Sequence, residues 1–180
     1  DIEYLTQKAE SFKGKIDILV NNAGITSDNL FIRMKDDEWS KVLDINLNSN
    51  MKLTKKVLRE MLKNRYGRII FISSIIGFSG NAGQSNYASS KAALSGFSKS
   101  IALEVANRGI TCNVIAPGYI ETPMTEKLNQ DQQNIILGKI PVSRLGQSTD
   151  VAAGCVYLAS DEAGFVTGST LHINGGMGMF

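Results

Sequence analysis

Short apolar runs alternate with longer amphipathic stretches along this chain. Four runs have the length of buried parallel strands and end in polar or glycine-rich segments. They lie at residues 16–21, 68–73, 111–116 and 170–174. The stretches between them have helical spacing, which indicates parallel strands joined by right-handed crossovers. The sequence therefore predicts an α/β fold with a doubly wound parallel sheet.

The stretch 36–64 has the strongest helical pattern, with acidic residues in its first turn and basic residues near its end. It carries two apolar stripes, Leu43, Leu53, Val57, Met61 and Leu47, Met51, Leu58, Leu62. Further helices are predicted over 1–12, 87–107, 122–138 and 148–160. Gly109 is expected to end the second of these, and Ser148 to be the N-cap of the last.

Composition limits the possible functions. A chain of 180 residues with 43% hydrophobic and 20% charged residues is typical of one globular domain, here taken as 1–180. The net charge of +2 does not indicate nucleic acid as a partner. No apolar run reaches the roughly 20 residues of a membrane span. Cys112 and Cys155 lack metal-site spacing and are expected in the core, while His172, the only histidine, is expected to face outward from its strand.

Tyr87 and Lys91 are the strongest chemical signal. Residues four apart share one face of a helix. We expect the Lys91 ammonium to lower the pKa of the Tyr87 phenol, because a nearby positive charge favours the phenolate. Such a phenol exchanges protons with a carbonyl or alcohol oxygen. Ser74, thirteen residues before Tyr87, adds a hydroxyl at the end of the second predicted strand.

Three further stretches carry the resemblance to a family. They read NNAGITSDNLFIRM at 21–34, RGITCNVIAPGYIET at 108–122 and TGSTLHINGGM at 167–177. With Asn46 and the Ser74, Tyr87 and Lys91 set, they resemble the short-chain dehydrogenases/reductases, a Rossmann-like family. The sequences of these stretches are most similar to those of the 3-oxoacyl-(acyl-carrier-protein) reductases. The resemblance implies NADPH-dependent reduction of 3-oxoacyl-acyl-carrier-protein to 3-hydroxyacyl-acyl-carrier-protein in fatty acid synthesis.

The resemblance implies a catalytic set of Asn46, Ser74, Tyr87 and Lys91. Tyr87 would donate the proton, Ser74 would bind the substrate carbonyl, and Lys91 would also bind the nicotinamide ribose. Asn46 would hold a water that links Lys91 to solvent. The alternatives are that Tyr87 is an interface tyrosine at a helix start and that Lys91 and Asn46 are solvated surface residues.

Further residues are implied in binding NADPH. They are Asn22, Ala23, Gly24, Tyr87, Lys91, Pro117, Gly118, Ile120 and Thr122. Gly24 would let the backbone approach the cofactor, and Asn22 would tie neighbouring strands. Without the family resemblance, the Asn-Gly-type and Pro-Gly sequences would indicate only ordinary turns at the ends of strands. The segment 121–138 is interpreted as a lid over the acyl chain.

The resemblance also implies a carrier-protein docking surface. Lys63, Arg65 and Arg68 follow the long helix, and Arg108 ends the Tyr87 helix. Relatives use the positions of Arg65 and Arg108 to bind the acidic carrier. The alternative is surface charge that only complements helix dipoles.

The start of the chain departs from the family. The glycine-rich Gly-x-x-x-Gly-x-Gly turn that binds the pyrophosphate has no counterpart, so we expect the N-terminal βαβ portion to be missing from the sequence. An apolar sheet edge would then be exposed. The glycines at 77, 80 and 83 are an alternative phosphate loop, but it is too long for a tight strand–helix turn. The choice between NADPH and NADH stays open at this stage.

Assembly and rival functions complete the expectations. A sheet covers one stripe of each long helix, so we expect a homotetramer that covers the rest and buries Phe180 across a subunit boundary. No nucleic-acid or membrane partner and no metal are expected. The location would be the bacterial cytoplasm, or an organelle stroma or matrix. The alternatives are a related reductase acting on acyl-CoA, a sugar or a secondary alcohol, and a truncated non-catalytic chain.

Overall fold

The computed structural model of the chain describes residues 2–121 and 130–180. Strands and helices alternate within these ranges, as the apolar pattern predicts. The strands are β1 (Ile18–Asn21), β2 (Gly67–Ile72), β3 (Ile110–Pro117) and β4 (Thr170–Ile173). The helices are α1 (Ile2–Lys13), α2 (Asp36–Leu43), α3 (Ser49–Asn64), α4 (Ile76–Ser79), α5 (Ser85–Val105), α6 (Gln130–Leu137) and α7 (Ser148–Ala159). The π-helical stretch Asp44–Asn48 joins α2 to α3.

The four strands form one parallel sheet in the order β1-β2-β3-β4. Every residue of β2 and β3 is buried, which explains why these two strands are continuous apolar runs rather than alternating ones. Helices cover both faces. Phe71, Leu94 and Cys112 belong to a core shared with α3 and α5, and Ile115 and Leu158 to a second core beneath α7. The predicted doubly wound α/β fold is confirmed.

β1 forms one edge of the described sheet. Ile18 and Val20 are 46% and 41% exposed there, although both are β-branched and apolar. The apolar edge expected from the sequence is therefore present. Such an edge pairs readily with another strand.

The long helix 36–64 is continuous but not regular, because the π-helical stretch interrupts it. Its two predicted stripes are not separated as expected. Leu47, Leu58 and Leu62 pack against the same core as Val57, and of their stripe Met51 alone is exposed. One sheet face thus covers most of both stripes, so the expectation of an uncovered second stripe is wrong.

Two local expectations need correction. Gln147, not Ser148, precedes the first turn of α7, and the Gln147 N–H donates to the Asp150 carboxylate at 2.8 Å. His172 does not face outward freely. It is half-buried between the rings of Phe78 and Phe180, with ring centroids 4.8 and 5.6 Å away. Apolar neighbours on both sides outweigh the preference of a lone histidine for solvent.

The glycine-rich stretch 77–83 begins in the short helix α4 and continues as an exposed turn before α5. Gly77 lies in α4, where a Cβ would approach the backbone of Lys91 and Ala92 to 2.9 Å. α4 can therefore lie directly against α5. The predicted helix 122–138 is described only as α6, since residues 122–129 lie outside the described ranges.

No helix within the described ranges is long and apolar enough to cross a membrane.

Gly77 and Gly96 provide a matched test of this packing. We expect Gly77→Ala to reduce the free energy of unfolding by about 1–3 kcal/mol, because the new methyl group forces α4 away from α5. Gly96→Ala, in α5 with no atom within 4 Å of the added Cβ, should raise it by about 0.5–1 kcal/mol. Urea unfolding measures both. An unchanged or raised free energy of unfolding in Gly77→Ala would contradict the described contact.

Candidate active site

The site lies where the carboxyl ends of the parallel strands meet the first turns of α5. Asn22 follows β1, Ser74 lies just beyond β2, and Gly118 follows β3. The N–H of Ile75 donates to the Pro117 carbonyl at 2.8 Å, which fixes the segment after β2 beside the end of β3. Open parallel sheets bind their ligands along this edge. The topology thus brings together residues that are far apart in sequence.

Ser74 is the serine that faces Tyr87. Its Oγ accepts a hydrogen bond from the Ile76 N–H at 3.2 Å, and the hydroxyl lies near enough to the Tyr87 phenol to lower the pKa of that phenol. The neighbouring Ser73 points away and donates to the main-chain carbonyl of Lys91 at 2.8 Å. Of these two adjacent serines, Ser74 is therefore the one that lies towards Tyr87.

Lys91 lies beneath Tyr87 in the interior. It is 3% exposed, and its Nζ donates to the Ile72 carbonyl at 2.7 Å and lies 5.7 Å from the centroid of the Tyr87 ring. Burial lowers the pKa of this ammonium to about 8, because the charged form loses hydration. The reading of Lys91 as a solvated surface lysine is wrong.

The expected effect of Lys91 on Tyr87 is also corrected. Burial raises the pKa of the Tyr87 phenol, the Ser74 hydrogen bond lowers it in part, and the Asp28 carboxylate raises it further. The loss of hydration outweighs any attraction from Lys91, whose Nζ is directed at a carbonyl of β2. Tyr87 is thus held in its protonated form at neutral pH.

Asn46 occupies the π-helical stretch and is fully buried. Its Oδ1 accepts from the Ile25 N–H at 2.8 Å, and its Nδ2 donates to the Ile25 carbonyl at 2.9 Å and to Ser90 Oγ at 3.1 Å. The alternative of a solvated surface asparagine is wrong. A π-helical turn directs the amide at the loop after β1, where it binds both polar groups of one peptide. The relay water implied by the resemblance stays a prediction.

Gly24 closes the loop over Lys91. A Cβ at this position would lie 3.2 Å from Lys91 Nζ and 3.3 Å from Asn46 Oδ1. Ala23 and Gly24 are exposed on their other side. The loop therefore passes close above the buried ammonium while its backbone faces solvent.

Asn22 does not tie neighbouring strands as expected. It is exposed, whereas the preceding Asn21 is buried and its Nδ2 donates to Thr54 Oγ1 of α3 at 3.4 Å. The alternation of a strand explains the exchange, because successive side chains point to opposite faces. The Asn22 side chain is exposed to solvent at this edge of the sheet.

The end of β3 supplies the remaining predicted residues. Gly118 lies against Asn174, where a Cβ would come within 2.9 Å of its Cα. Ile120 forms a parallel bridge with Gly146 and lines a cleft of about 510 Å³ with Tyr119. Thr122 lies outside the described residues.

The sequence interpretation missed two buried residues of this site. Asn86 is fully buried next to Tyr87, and Ser90, on the following turn, donates to the Tyr87 carbonyl at 2.7 Å. Polar residues at the interior positions of an otherwise apolar helix were the available signal.

The comparisons with known proteins agree with this geometry. A family model described as "Enoyl-(Acyl carrier protein) reductase" matches residues 1–178. The chain is 56% identical over 178 residues to "3-oxoacyl-[acyl-carrier-protein] reductase FabG" of Escherichia coli, and 54% identical over 176 residues to the FabG of Haemophilus influenzae. It is 51% identical over 179 residues to "Nodulation protein G" of a Rhizobium species. These matches cover 98–99% of this chain and 73% of each relative.

The chain belongs to the short-chain dehydrogenase/reductase family. The resemblance read from the sequence is confirmed, and with it the assignment as an oxidoreductase. Membership implies a nicotinamide cofactor. The residues present fit such a group, because Asn22, Ala23 and Gly24 offer an exposed backbone strip beside Ser74 and above Lys91.

The predicted docking cluster is only partly present in this reductase. Arg65 and Arg108 are exposed, and Arg65 donates to the Asn107 carbonyl at 3.0 Å, so the two lie side by side. Arg68 is 5% exposed and donates to the carbonyls of Ser160 and Gly109. Its guanidinium forms hydrogen bonds in the interior, so the prediction that Arg68 belongs to the surface cluster is wrong.

No group of three or more His, Cys, Asp or Glu side chains in residues 2–121 and 130–180 could hold a metal ion.

Lys91 makes the stability of this reductase depend on pH. Because the pKa of Lys91 is about 8 in the folded chain, below the 10.5 of a fully hydrated lysine, the unfolded chain binds more protons between these two pH values. The parent should therefore gain free energy of unfolding relative to Lys91→Met as pH rises from 8 to 10.5. The gain should approach about 3 kcal/mol. Urea unfolding at several pH values measures it.

Lys99→Met, which removes an exposed lysine of the same helix, controls for the loss of one positive charge. If the difference in free energy of unfolding between the parent and Lys91→Met does not change over this pH range, folding does not lower the pKa of Lys91.

Proposed function

We propose that this protein reduces 3-oxoacyl-acyl-carrier-protein to 3-hydroxyacyl-acyl-carrier-protein with NADPH, in fatty acid synthesis in a bacterial cytoplasm. The observation that carries the proposal is the half-buried Tyr87 ring, whose centroid lies 5.7 Å from the Nζ of the buried Lys91, beside the strand end that carries Ser74. The names of the FabG relatives support the substrate class.

The site residues divide the chemistry as follows. NADPH, when bound, supplies the hydride for the carbonyl carbon. Ser74 and Tyr87 hydrogen-bond the carbonyl oxygen, and Tyr87 gives it a proton as negative charge develops. The raised pKa suits this direction of reaction, because the donor must carry its proton. The Lys91 ammonium stabilises the tyrosinate that remains and binds the ribose of the cofactor.

Asn22, Ala23 and Gly24 would hold the nicotinamide half of NADPH together with Pro117, Gly118, Ile120 and Thr122. Asn46 would keep the loop after β1 over Lys91 and hold the relay water. The positions of the described residues among them and the family resemblance support these assignments.

A second candidate reaction comes from the family model, whose description names an enoyl reductase. That reaction reduces a carbon–carbon double bond, whereas the Ser74–Tyr87 pair is suited to a carbonyl oxygen. We therefore favour the 3-oxoacyl substrate. NADPH oxidation with an acetoacetyl thioester but not with a crotonyl thioester is the expected outcome, and the reverse preference would overturn the proposal. Acetoacetyl-CoA, compared with the carrier thioester, tests the acyl-CoA alternative.

Arg65 and Arg108 form the proposed docking site for the carrier protein. Their side-by-side positions at the ends of α3 and α5 present two positive charges to an acidic partner.

The proposed assembly is a homotetramer. In the single chain, Leu103 on the outer side of α5 is 87% exposed, Phe180 65% and Met179 85%. Twofold contacts through α5 and through the end of β4 would cover these side chains.

Tyr87→Phe tests the proton donor. We expect the cofactor affinity to stay within a few-fold while kcat falls by at least about 10², as is usual for the loss of a general acid. The rate at which NADPH absorbance falls in the presence of an acetoacetyl thioester measures turnover. Near-parental turnover in this variant would exclude Tyr87 as the acid.

Arg65→Glu with Arg108→Glu tests docking. KM for the carrier-protein substrate should rise and KM for a small thioester should not, and added salt should raise the parental KM for the carrier alone. Lys52→Glu with Lys55→Glu makes the same charge change on α3, about 15 Å from Arg65, and should spare both KM values. Equal losses on both substrates would place the arginines in the fold instead.

Light scattering tests the assembly. The full-length product of the gene should have the mass of four chains at micromolar concentration. A Leu103→Glu variant should dissociate to smaller species, because a buried unpaired charge is costly. A monomer mass for the parent would contradict the proposal.

A further inference from the structure

Asn86 is a buried side chain that hydrogen-bonds to three segments near the proton donor, namely α5, the loop after β1 and α2. It is fully buried at the start of α5, directly before Tyr87. Its Oδ1 accepts from the Tyr87 N–H at 2.7 Å. Its Nδ2 donates to the Ser27 carbonyl in the loop after β1 at 2.9 Å and to the Glu38 carbonyl in α2 at 3.2 Å. Three of its four hydrogen-bonding positions are thus used.

These contacts make the loop after β1 a strap between two amides. Asn46 holds the Ile25 peptide by both of its polar groups, and Asn86 holds Ser27 two residues later. Between these points and β1, Gly24 passes above Lys91 Nζ. Asn46 of the π-helical stretch therefore fixes the strap at Ile25, and Asn86 of α5 fixes it at Ser27. Together they set its position over the Lys91 ammonium.

The strap also continues into the helix that carries the phenol. Ser90 receives a hydrogen bond from Asn46 and donates one to the Tyr87 carbonyl, while Asn86 binds the Tyr87 N–H. The main-chain N–H and C=O of Tyr87 are thereby both connected through hydrogen bonds to the side chains that hold the strap. A shift of the strap would move the phenol with it.

We propose that Asn86 is a positioning residue for the reaction. It fixes the Tyr87 phenol relative to the strap and Lys91, and it does not touch the substrate itself. This inference rests on the proposed role of Tyr87 as proton donor. A misplacement of about 1 Å lowers the rate of an oriented reaction by up to about 10²-fold, so removing Asn86 has a measurable effect on turnover.

A double-mutant cycle tests the inference. The four proteins are the parent, Asn86→Ala, Tyr87→Phe and the double variant, assayed for kcat and KM with NADPH and an acetoacetyl thioester. In the parent, Asn86→Ala should lower kcat about tenfold and change KM less than about threefold. In the Tyr87→Phe protein the same substitution should lower kcat less than about twofold, because the group that Asn86 positions is already absent.

The other outcomes are distinguishable. A tenfold loss in both backgrounds would show that Asn86 supports the fold or the cofactor site in general and would overturn the inference. An unchanged kcat in Asn86→Ala would also overturn it. If Tyr87→Phe alone leaves turnover unchanged, the proposed function fails instead. NADPH binding by fluorescence, measured on all four proteins, separates loss of cofactor from loss of proton transfer.

Two further variants control for stability. Asn81 is an exposed asparagine near the same helix end that bonds only Gln84 among the described residues, so Asn81→Ala should keep parental kcat. If Asn86→Ala does not fold, Asn86→Ser replaces it, since the hydroxyl retains one contact but cannot reach both carbonyls. A smaller loss of kcat that again disappears in the Tyr87→Phe background supports the inference. A loss that persists there overturns it.

Discussion

The arrangement of this reductase depends on a single buried ammonium. Lys91 is almost completely removed from solvent, and the Ile72 carbonyl is a described acceptor at 2.7 Å. An ammonium in the interior is tolerated only where polar atoms surround it. The neighbouring backbone meets this constraint by close approach. Gly24 allows a loop to pass above the charge, and Gly77 allows α4 to pack against the backbone of Lys91 itself.

Much of the fold follows from the sequence because its signals are local and strong. The continuous apolar runs of β2 and β3 identify strands buried on both faces, and the lengths of the intervening helices require a parallel sheet. Helix ends were less well determined. Whether α7 begins after Gln147 or after Ser148 depends on which main-chain N–H donates to the Asp150 carboxylate. Residue types alone do not specify that hydrogen bond.

The candidate site was predictable in its members but not in its electrostatics. The spacing of Ser74, Tyr87 and Lys91 locates them on one strand end and one helix face. It does not reveal how much water each group loses on folding, so the pKa of Tyr87 was predicted in the wrong direction. Arg68 shows the same limit. Its neighbours in sequence are surface cations, yet its guanidinium is enclosed by carbonyls from segments more than forty residues away.

The π-helical stretch Asp44–Asn48 has a consequence for how this site can change over evolutionary time. A π-helical turn is equivalent to an α-helix that has accepted one extra residue without breaking. Loss of one residue there would restore a regular helix and rotate everything on one side of it by about 100°. Asn46 would then leave the loop that it holds, even though every side chain of the site was retained. Sequences of this family that differ in length at this point would therefore differ in chemistry, whereas point substitutions nearby would leave the phase of the helix intact.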